Sequence, residues 1–133
     1  AMSMGAHNYV NIKNEEQLNK AKNSCNYILD TVSANRDMAE VFSLLKTDGR
    51  IMIVGLPMEP LAISSFSLID KRKGIIGCAI GSISETQEMI NYCNENDIYP
   101  EIEMIEMAQI NEAFERTINK DVRFRFVIDM SSL

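Results

Sequence analysis

The stretch RIMIVGLP, residues 50–57, constrains this chain more than any other. After Arg50 it is an unbroken apolar run that stops at Gly55 and Pro57. A strand with one wet face alternates apolar and polar residues. An unbroken run is what a strand covered on both faces looks like, and such strands belong to parallel sheets. Parallel neighbours need crossover connections, usually helical, and the flanking sequence supplies them. CNYILDTV (25–32) reads as a second strand. Between the two, RDMAEVFSLLKTDG (36–49) places Met38, Val41, Phe42 and Leu45 at i, i+3, i+4 and i+7, the spacing of a helix with one buried face. Gly49 stands where a C-terminal cap would be, and Lys46 where a last-turn cation would.

The rest of the chain continues the alternation. HNYVNI (7–12) reads as a short strand and NEEQLNKAKN (14–23) as a polar helix. FSLIDKRKG leads into a further strand at 74–80. Thr86, Met89, Ile90 and Cys93 then repeat the helical spacing, as do Ile110, Ala113, Phe114, Thr117 and Ile118. RFRFVIDM (123–130) puts Phe124, Phe126, Ile128 and Met130 on one face of a last strand. Strand and helix alternate throughout, which specifies an α/β domain with a parallel sheet. A length of 133 residues is one domain's worth.

KGIIGCAIGSISETQEM (73–89) is the least ordinary segment. Gly74, Gly77 and Gly81 interrupt an apolar strand, where glycine costs backbone entropy and offers nothing to pack. Three uses fit them: binding phosphate, admitting another backbone, or turning the chain. The spacing matches neither a G-x-G-x-x-G turn nor a Walker loop, and neither occurs elsewhere in the chain. Two capping boxes compete for the helix that follows, Ser82 with Glu85 and Ser84 with Gln87.

Charge narrows the partners. A net charge of −6 with scattered Lys and Arg offers no basic face for nucleic acid or an anionic membrane. No apolar run approaches the roughly 20 residues that span a bilayer. Three widely spaced cysteines, Cys25, Cys78 and Cys93, with a single histidine, His7, form neither a disulfide framework nor a zinc motif. The expectation is a cytoplasmic chain with buried, unpaired thiols and no metal. Catalytic constellations are absent too. His7 reads as an exposed structural residue, and the carboxylates of NEEQ, EIEMIEM and NEAFER as solvated faces. Two places at strand ends stand out, because ligands of open α/β sheets bind outside the carboxyl ends of the strands. Asp30 and Thr31 close one strand, where they either meet a ligand or begin the next turn. Gly55 closes another, where a flat ligand could lie directly on the backbone.

CNYILDTVSAN, LLKTDGRIMIVGLP, GIIGCAIGSISETQEMINYC and NEAFERTINKDVRFRFVIDM, taken together, resemble the C-terminal part of zinc-dependent medium-chain alcohol dehydrogenases. The similarity is greatest to the cinnamyl alcohol dehydrogenase-like, NADP-dependent group, and it runs through nearly the whole chain in one order. It implies a partial Rossmann domain, doubly wound and lacking its first two strands, in which 120–133 returns toward a catalytic domain. It implies that the zinc ligands, the dinucleotide turn and the residues reading the 2′-phosphate of NADP lie outside these residues. The cofactor contacts it carries over are Thr31, Gly55, Cys78, Ala79 and Ile80, with no catalytic or metal-binding residue among them. Ala79 stands where the family often has a bulky aromatic, Asn26 where it often has Asp, and Ala108 where an acidic residue caps the helix near Gln109. A missing cap of that kind costs about 1 kcal/mol.

The function implied is hydride transfer between NADP and primary alcohols or aldehydes, aromatic or allylic, by a longer zinc enzyme of which this chain alone is inactive. A stand-alone α/β module for nucleotide binding or self-association is the alternative. The resemblance further implies a sheet that places 50–56 between 25–32 and 74–80. The edge left exposed at 25–32 is expected to favour self-association, as a homodimer or a higher assembly, and the family's own dimer implies a contact near 74–81.

Overall fold

Ile28, Ile51 and Ile75 pair across three adjacent strands and point to one side, and the core is built on that row. In the computed structural model, which describes residues 1–133, the chain divides into two units, Ala1–Ile80 and Gly81–Leu133. The first unit carries helix α1 (Glu15–Ala21), strand β1 (Cys25–Asp30), helix α2 (Met38–Ser43), strand β2 (Leu45–Ile53), helix α3 (Ser65–Ile69) and strand β3 (Gly74–Gly77). The sheet is parallel in the order β1–β2–β3, so 50–53 lies in the middle as its apolar run requires.

Met38, Val41 and Phe42 of α2 cover the isoleucine row, and Leu45 joins them with no exposed surface. Leu61, Ile63 and Leu68 close the periphery of this cluster. The opposite face is open. Leu29, Met52 and Ile76 form the next row, and Leu29 and Ile76 are 63% and 53% exposed. An apolar run therefore does mark the central strand, but only one of its two faces is covered within this chain.

Two expectations fail in this unit. Residues 7–12 make no strand, since β1 pairs only with β2 and no neighbour is available to them. Asn11 instead donates its N–H to the Gln17 side chain and accepts from the N–H of Lys13, which turns the backbone into α1. The helix expected over 36–49 ends at Ser43, and Gly49 and Lys46 lie in β2 rather than at a cap. The reason is competition for the last carbonyls of α2. Asn23 N–H takes that of Ser43, Ser24 and Cys25 N–H share that of Leu44, and Lys73 Nζ takes that of Phe42 at 3.0 Å. The cation at the end of α2 is thus Lys73, whose side chain is almost wholly buried.

Residues 46–49 then bulge out of the β1–β2 ladder, opposite Asn26 alone. Asp48 sits there at φ 62°, and Arg72 holds its carboxylate with two hydrogen bonds of 2.9 and 2.6 Å. That pairing, with help from Arg50, keeps the Asp48 carboxyl below its ordinary value. The thiols also depart from expectation. All three are free, but Cys78 is exposed and Cys25 and Cys93 are only half-buried.

The second unit holds helix α4 (Ile83–Glu95), strand β4 (Glu103–Glu106), helix α5 (Ile110–Ile118) and strand β5 (Phe126–Asp129). β4 and β5 pair in parallel, and Ala113 of α5 is buried. Of the alternating face expected for the last strand, Phe126 and Ile128 are half-buried, whereas Phe124 and Met130 are exposed. Arg116 ties α5 to this pair through Glu103 at 2.8 Å and lies over the Phe126 ring, 4.8 Å from its centroid. Ala108 lies one residue before Gln109, and α5 starts there without a side-chain cap, as expected. A short 3-10 turn at Met107–Gln109 precedes α5, and Glu106 caps it while its own N–H donates to the Gln109 side chain at 2.9 Å.

At α4 the choice between capping boxes is made by Ser82 and Glu85. Glu85 N–H donates to the Ser82 hydroxyl at 3.2 Å, and Ser82 N–H donates to the Glu85 carboxylate at 2.6 Å. The Ser82 backbone, and then its hydroxyl, hold the Glu85 carboxyl below its ordinary value of 4.5. A folded value below the unfolded one stabilises the folded state above the unfolded value, and that contribution disappears as pH falls through the folded value. The first turn of α4 is therefore expected to hold at neutral pH and to loosen in acid. Amide protection factors at Ser82 and Glu85 between about pH 7 and about pH 3 check this, and protection unchanged across that range would refute it.

Candidate functional site

Parallel strands deliver their carboxyl ends to one side, and here those ends are level. Asp30 pairs with Ile53 and Ile53 with Gly77, so Thr31, Val54 and Cys78 are the first residues beyond the sheet on its three strands. Backbone hydrogen bonds carry the pairing past the strand ends. Val54 and Gly55 N–H both donate to the Asp30 carbonyl at 2.9 Å, and Cys78 N–H donates to that of Ile53 at 3.1 Å.

Thr31 and Gly55 touch through their backbones. A Cβ built on Gly55 would lie 2.5 Å from the Val32 carbonyl oxygen and 2.8 Å from the Thr31 carbonyl carbon. Only glycine fits there, and the reason differs from the one expected. The space left by the absent side chain is filled by the Thr31–Val32 backbone rather than kept open for a ligand. Asp30 likewise begins the turn. Its carboxylate is buried, accepts the Val32 N–H at 3.1 Å and is paired with Arg36. Ser33 Oγ accepts the Leu56 N–H at 3.3 Å and links the β1 and β2 loops a second time.

Thr31, Cys78, Ala79 and Ile80 are exposed. Val32 and Leu56 are exposed too, so the residues just beyond the three strand ends are mostly apolar and open, and we call them the shelf. Such a shelf suits one face of a flat, weakly polar ring. It does not suit phosphate, because Arg36 is already committed to Asp30. Of the glycines at 74–81, Gly74 makes way for the Arg50 side chain, 2.7 Å from where its Cβ would be. Gly77 has nothing within 4 Å of that position, so packing within this chain does not call for glycine there. Arg36 and Ser33 escaped the sequence reading, since neither falls in a motif or a periodic face. The available signal was a strand-ending Asp with an Arg six residues on.

No group of three or more His, Cys, Asp or Glu side chains is gathered so as to hold an ion, and His7 is exposed. No helix is long and apolar enough to cross a membrane.

The sequence model of zinc-binding dehydrogenases matches residues 1–95. The chain belongs to the zinc-binding dehydrogenase family. Among members of that family, NADP-dependent alcohol dehydrogenase C 1 of Mycolicibacterium smegmatis is 45% identical over 132 residues, which is 99% of this chain and 38% of that protein. Cinnamyl alcohol dehydrogenase 2 of Arabidopsis thaliana is 40% identical over 129 residues, covering 97% of this chain and 34% of that one. The solved cinnamyl alcohol dehydrogenase of Sorghum bicolor superposes with a TM-score of 0.90 at 32% identity, again over 97% of this chain and 36% of its own. The chain thus spans little more than a third of the length of these dehydrogenases. Its parallel α/β fold is that of their Rossmann-like cofactor domain, and the strand order β1–β2–β3 expected for that part of the sheet is the one observed.

Gly55→Ala tests the contact at the strand ends. It is expected to destabilise the protein by about 1–3 kcal/mol, the range for forcing extra atoms into a packed site, as read by urea unfolding. Gly77→Ala, with open space around it, is expected to cost less than Gly55→Ala.

Proposed function

We propose that this chain is the C-terminal part of the NADP-binding domain of a zinc-dependent alcohol dehydrogenase, with 120–133 returning toward a separate catalytic domain. The observation that carries this reading is the level set of strand ends at Thr31, Val54 and Cys78, with Gly55, Ala79 and Ile80 beyond. Ligands of open α/β sheets bind in that position. The names of two relatives add to it: the alcohol dehydrogenase C 1 of M. smegmatis is NADP-dependent, and the cinnamyl alcohol dehydrogenase of Helicobacter pylori was solved with NADP(H). The whole protein would be cytoplasmic and would interconvert primary aromatic or allylic alcohols and their aldehydes.

Bound NADP would supply the hydride acceptor and NADPH the hydride donor. This chain's part is to hold and orient. The backbone at Cys78–Ile80 would run along the edge of the nicotinamide ring, the shelf at Val32 and Leu56 would keep water from one face, and the Thr31 hydroxyl would offer a hydrogen bond. Gly55 acts from behind, by letting Thr31 sit close to β2. Ala79 leaves room where a larger side chain would crowd the substrate. Zinc and the groups that hold phosphate belong to other parts of the protein, and no chemical step passes through a side chain of this one.

Titration of NADPH, followed by its fluorescence, tests the reading. The 133-residue chain alone is expected to bind more weakly than a Kd of about 10 μM (roughly −7 kcal/mol) and to oxidise no alcohol. The full-length protein is expected to bind more tightly and to contain zinc. Tight binding by the isolated chain would contradict the division of the site, and a native mass of 15.0 kDa without zinc would favour the stand-alone module.

We also infer that the protein forms a homodimer near residues 74–81. β3 pairs only with β2, so its outer edge has free backbone groups, and Ile76 is exposed beside it. Light scattering over a concentration series is expected to give a dimer mass. A monomer at every concentration would overturn the inference.

A further inference from the structure

We propose that Asp30, Arg36 and Gly55 are positioning residues that clamp the Thr31–Val32 peptide and so preset Thr31 for a nucleotide cofactor. The proposal rests on the cofactor reading above for its ligand, but its geometry stands apart from it.

Two of these groups touch that peptide, and the third holds one of them. The peptide N–H donates to Asp30 Oδ1 at 3.1 Å. Its carbonyl carbon lies 2.8 Å from where a Gly55 Cβ would stand, and the Val32 carbonyl carbon and oxygen, in the next peptide, lie closer still at 2.7 and 2.5 Å. The third group is the Arg36 guanidinium, which pairs with Asp30 Oδ2 and so fixes the carboxylate that holds the N–H. Arg36 Nη1 also reaches toward the Val32 and Ala34 carbonyl oxygens, at 3.5 and 3.4 Å. The Asp30 carbonyl meanwhile accepts from both Val54 and Gly55, so β2 is bound to the same turn. Below the turn, the Asp37 carboxylate accepts the Ala39 N–H at 2.8 Å and starts α2.

This is more than the end of a strand requires. A turn of the Asp30–Val32 kind forms readily on the surface, with water around the carboxylate. Here the Asp30 side chain is only 3% exposed and that of Arg36 only 15%. Withdrawing both charges from water costs about as much as their attraction returns, so such a pair adds little net stability. What it does add is a single geometry. The guanidinium fork fixes the carboxylate in direction as well as distance, and the carboxylate fixes the peptide. Thr31 is the exposed residue at the end of that chain of constraints, and it faces the side where the three strand ends are level.

The test uses the full-length protein and NADPH as the probe, with the thermal midpoint measured on every variant. Arg36→Lys keeps a positive charge beside Asp30 but loses the planar fork. It is expected to remain folded, to raise the NADPH Kd at least about fivefold, and to raise the cofactor KM by a larger factor than it lowers kcat. Arg36→Met leaves the Asp30 charge unpaired and is expected to raise the Kd further. A role in folding alone predicts lower thermal midpoints with NADPH binding within about twofold of wild type, and that result would overturn the proposal. Should Arg36→Met fail to fold, Arg36→Lys decides the matter. Wild-type protein that binds neither NADPH nor NADH would remove the cofactor reading and this inference with it. A wild type that binds, with variants that bind equally well, removes the inference alone.

Discussion

The first unit depends on one contact, the packing of α2 on the isoleucine row. Ile51 and Leu45 have no exposed surface, and Phe42 and Met38 almost none. These four side chains are the only large ones in the chain withdrawn from solvent to that degree. Burial of whole side chains is worth roughly 1.5–3 kcal/mol each, so this small cluster carries most of what hydrophobic burial can offer here. Everything at the strand ends inherits its position from it. β1 pairs directly with β2, Ile28 packs against the cluster that contains Ile51, and Thr31 and Gly55 meet just beyond those strands.

The two ends of the sheet are fastened by different means. At the amino ends the bonds are between charges and carbonyls. Lys73 meets the Phe42 carbonyl, Arg72 holds Asp48, and Arg50 reaches the carbonyls of Asp48, Gly49 and Arg72. Asn23, Asp48, Lys71 and Arg72 there all adopt the left-handed backbone that non-glycine residues rarely visit. At the carboxyl ends most of the fastening is through backbone groups, with the Asp30 carboxylate, Arg36 and the Ser33 hydroxyl as the side chains involved. Long flexible side chains collect at the end away from the shelf, while the shelf is built on short, stiff connections. That division suits a surface meant to receive a ligand.

The sequence was legible where a pattern could be written by local geometry alone. The central strand, the face of α2 and the helix at 110–118 follow from spacing and apolar runs, whereas the sheet order was carried by the resemblance to the dehydrogenases. It was illegible where distant groups compete for the same partner. The length of α2 is set by N–H groups of Asn23, Ser24 and Cys25, and the spacing of Met38 to Leu45 contains no trace of them. Gly49 looked like a cap by the same local logic. The helices instead close with left-handed Asn23, Asp97 and Lys120 just beyond α1, α4 and α5, residue types that composition does not single out as caps. At the shelf, the resemblance to the dehydrogenases named Thr31 and Gly55, but that Gly55 makes room for Thr31 emerged only from the atoms.

The open face of the sheet has a further consequence. Strand slippage by one residue exchanges the two faces of a strand, and most sheets forbid it because the exchange would bring polar side chains into the core. That safeguard is weak here. Leu29, Met52 and Ile76 are as apolar as Ile28, Ile51 and Ile75, so oil alone would accept either alignment. What marks the observed alignment is the set of contacts at the strand ends, where Asp30 is paired with Arg36 and the vacant side of Gly55 meets the Thr31–Val32 backbone. A charged pair and a missing methyl group thus serve as the pins of an otherwise symmetrical key, and they are the same groups that shape the shelf.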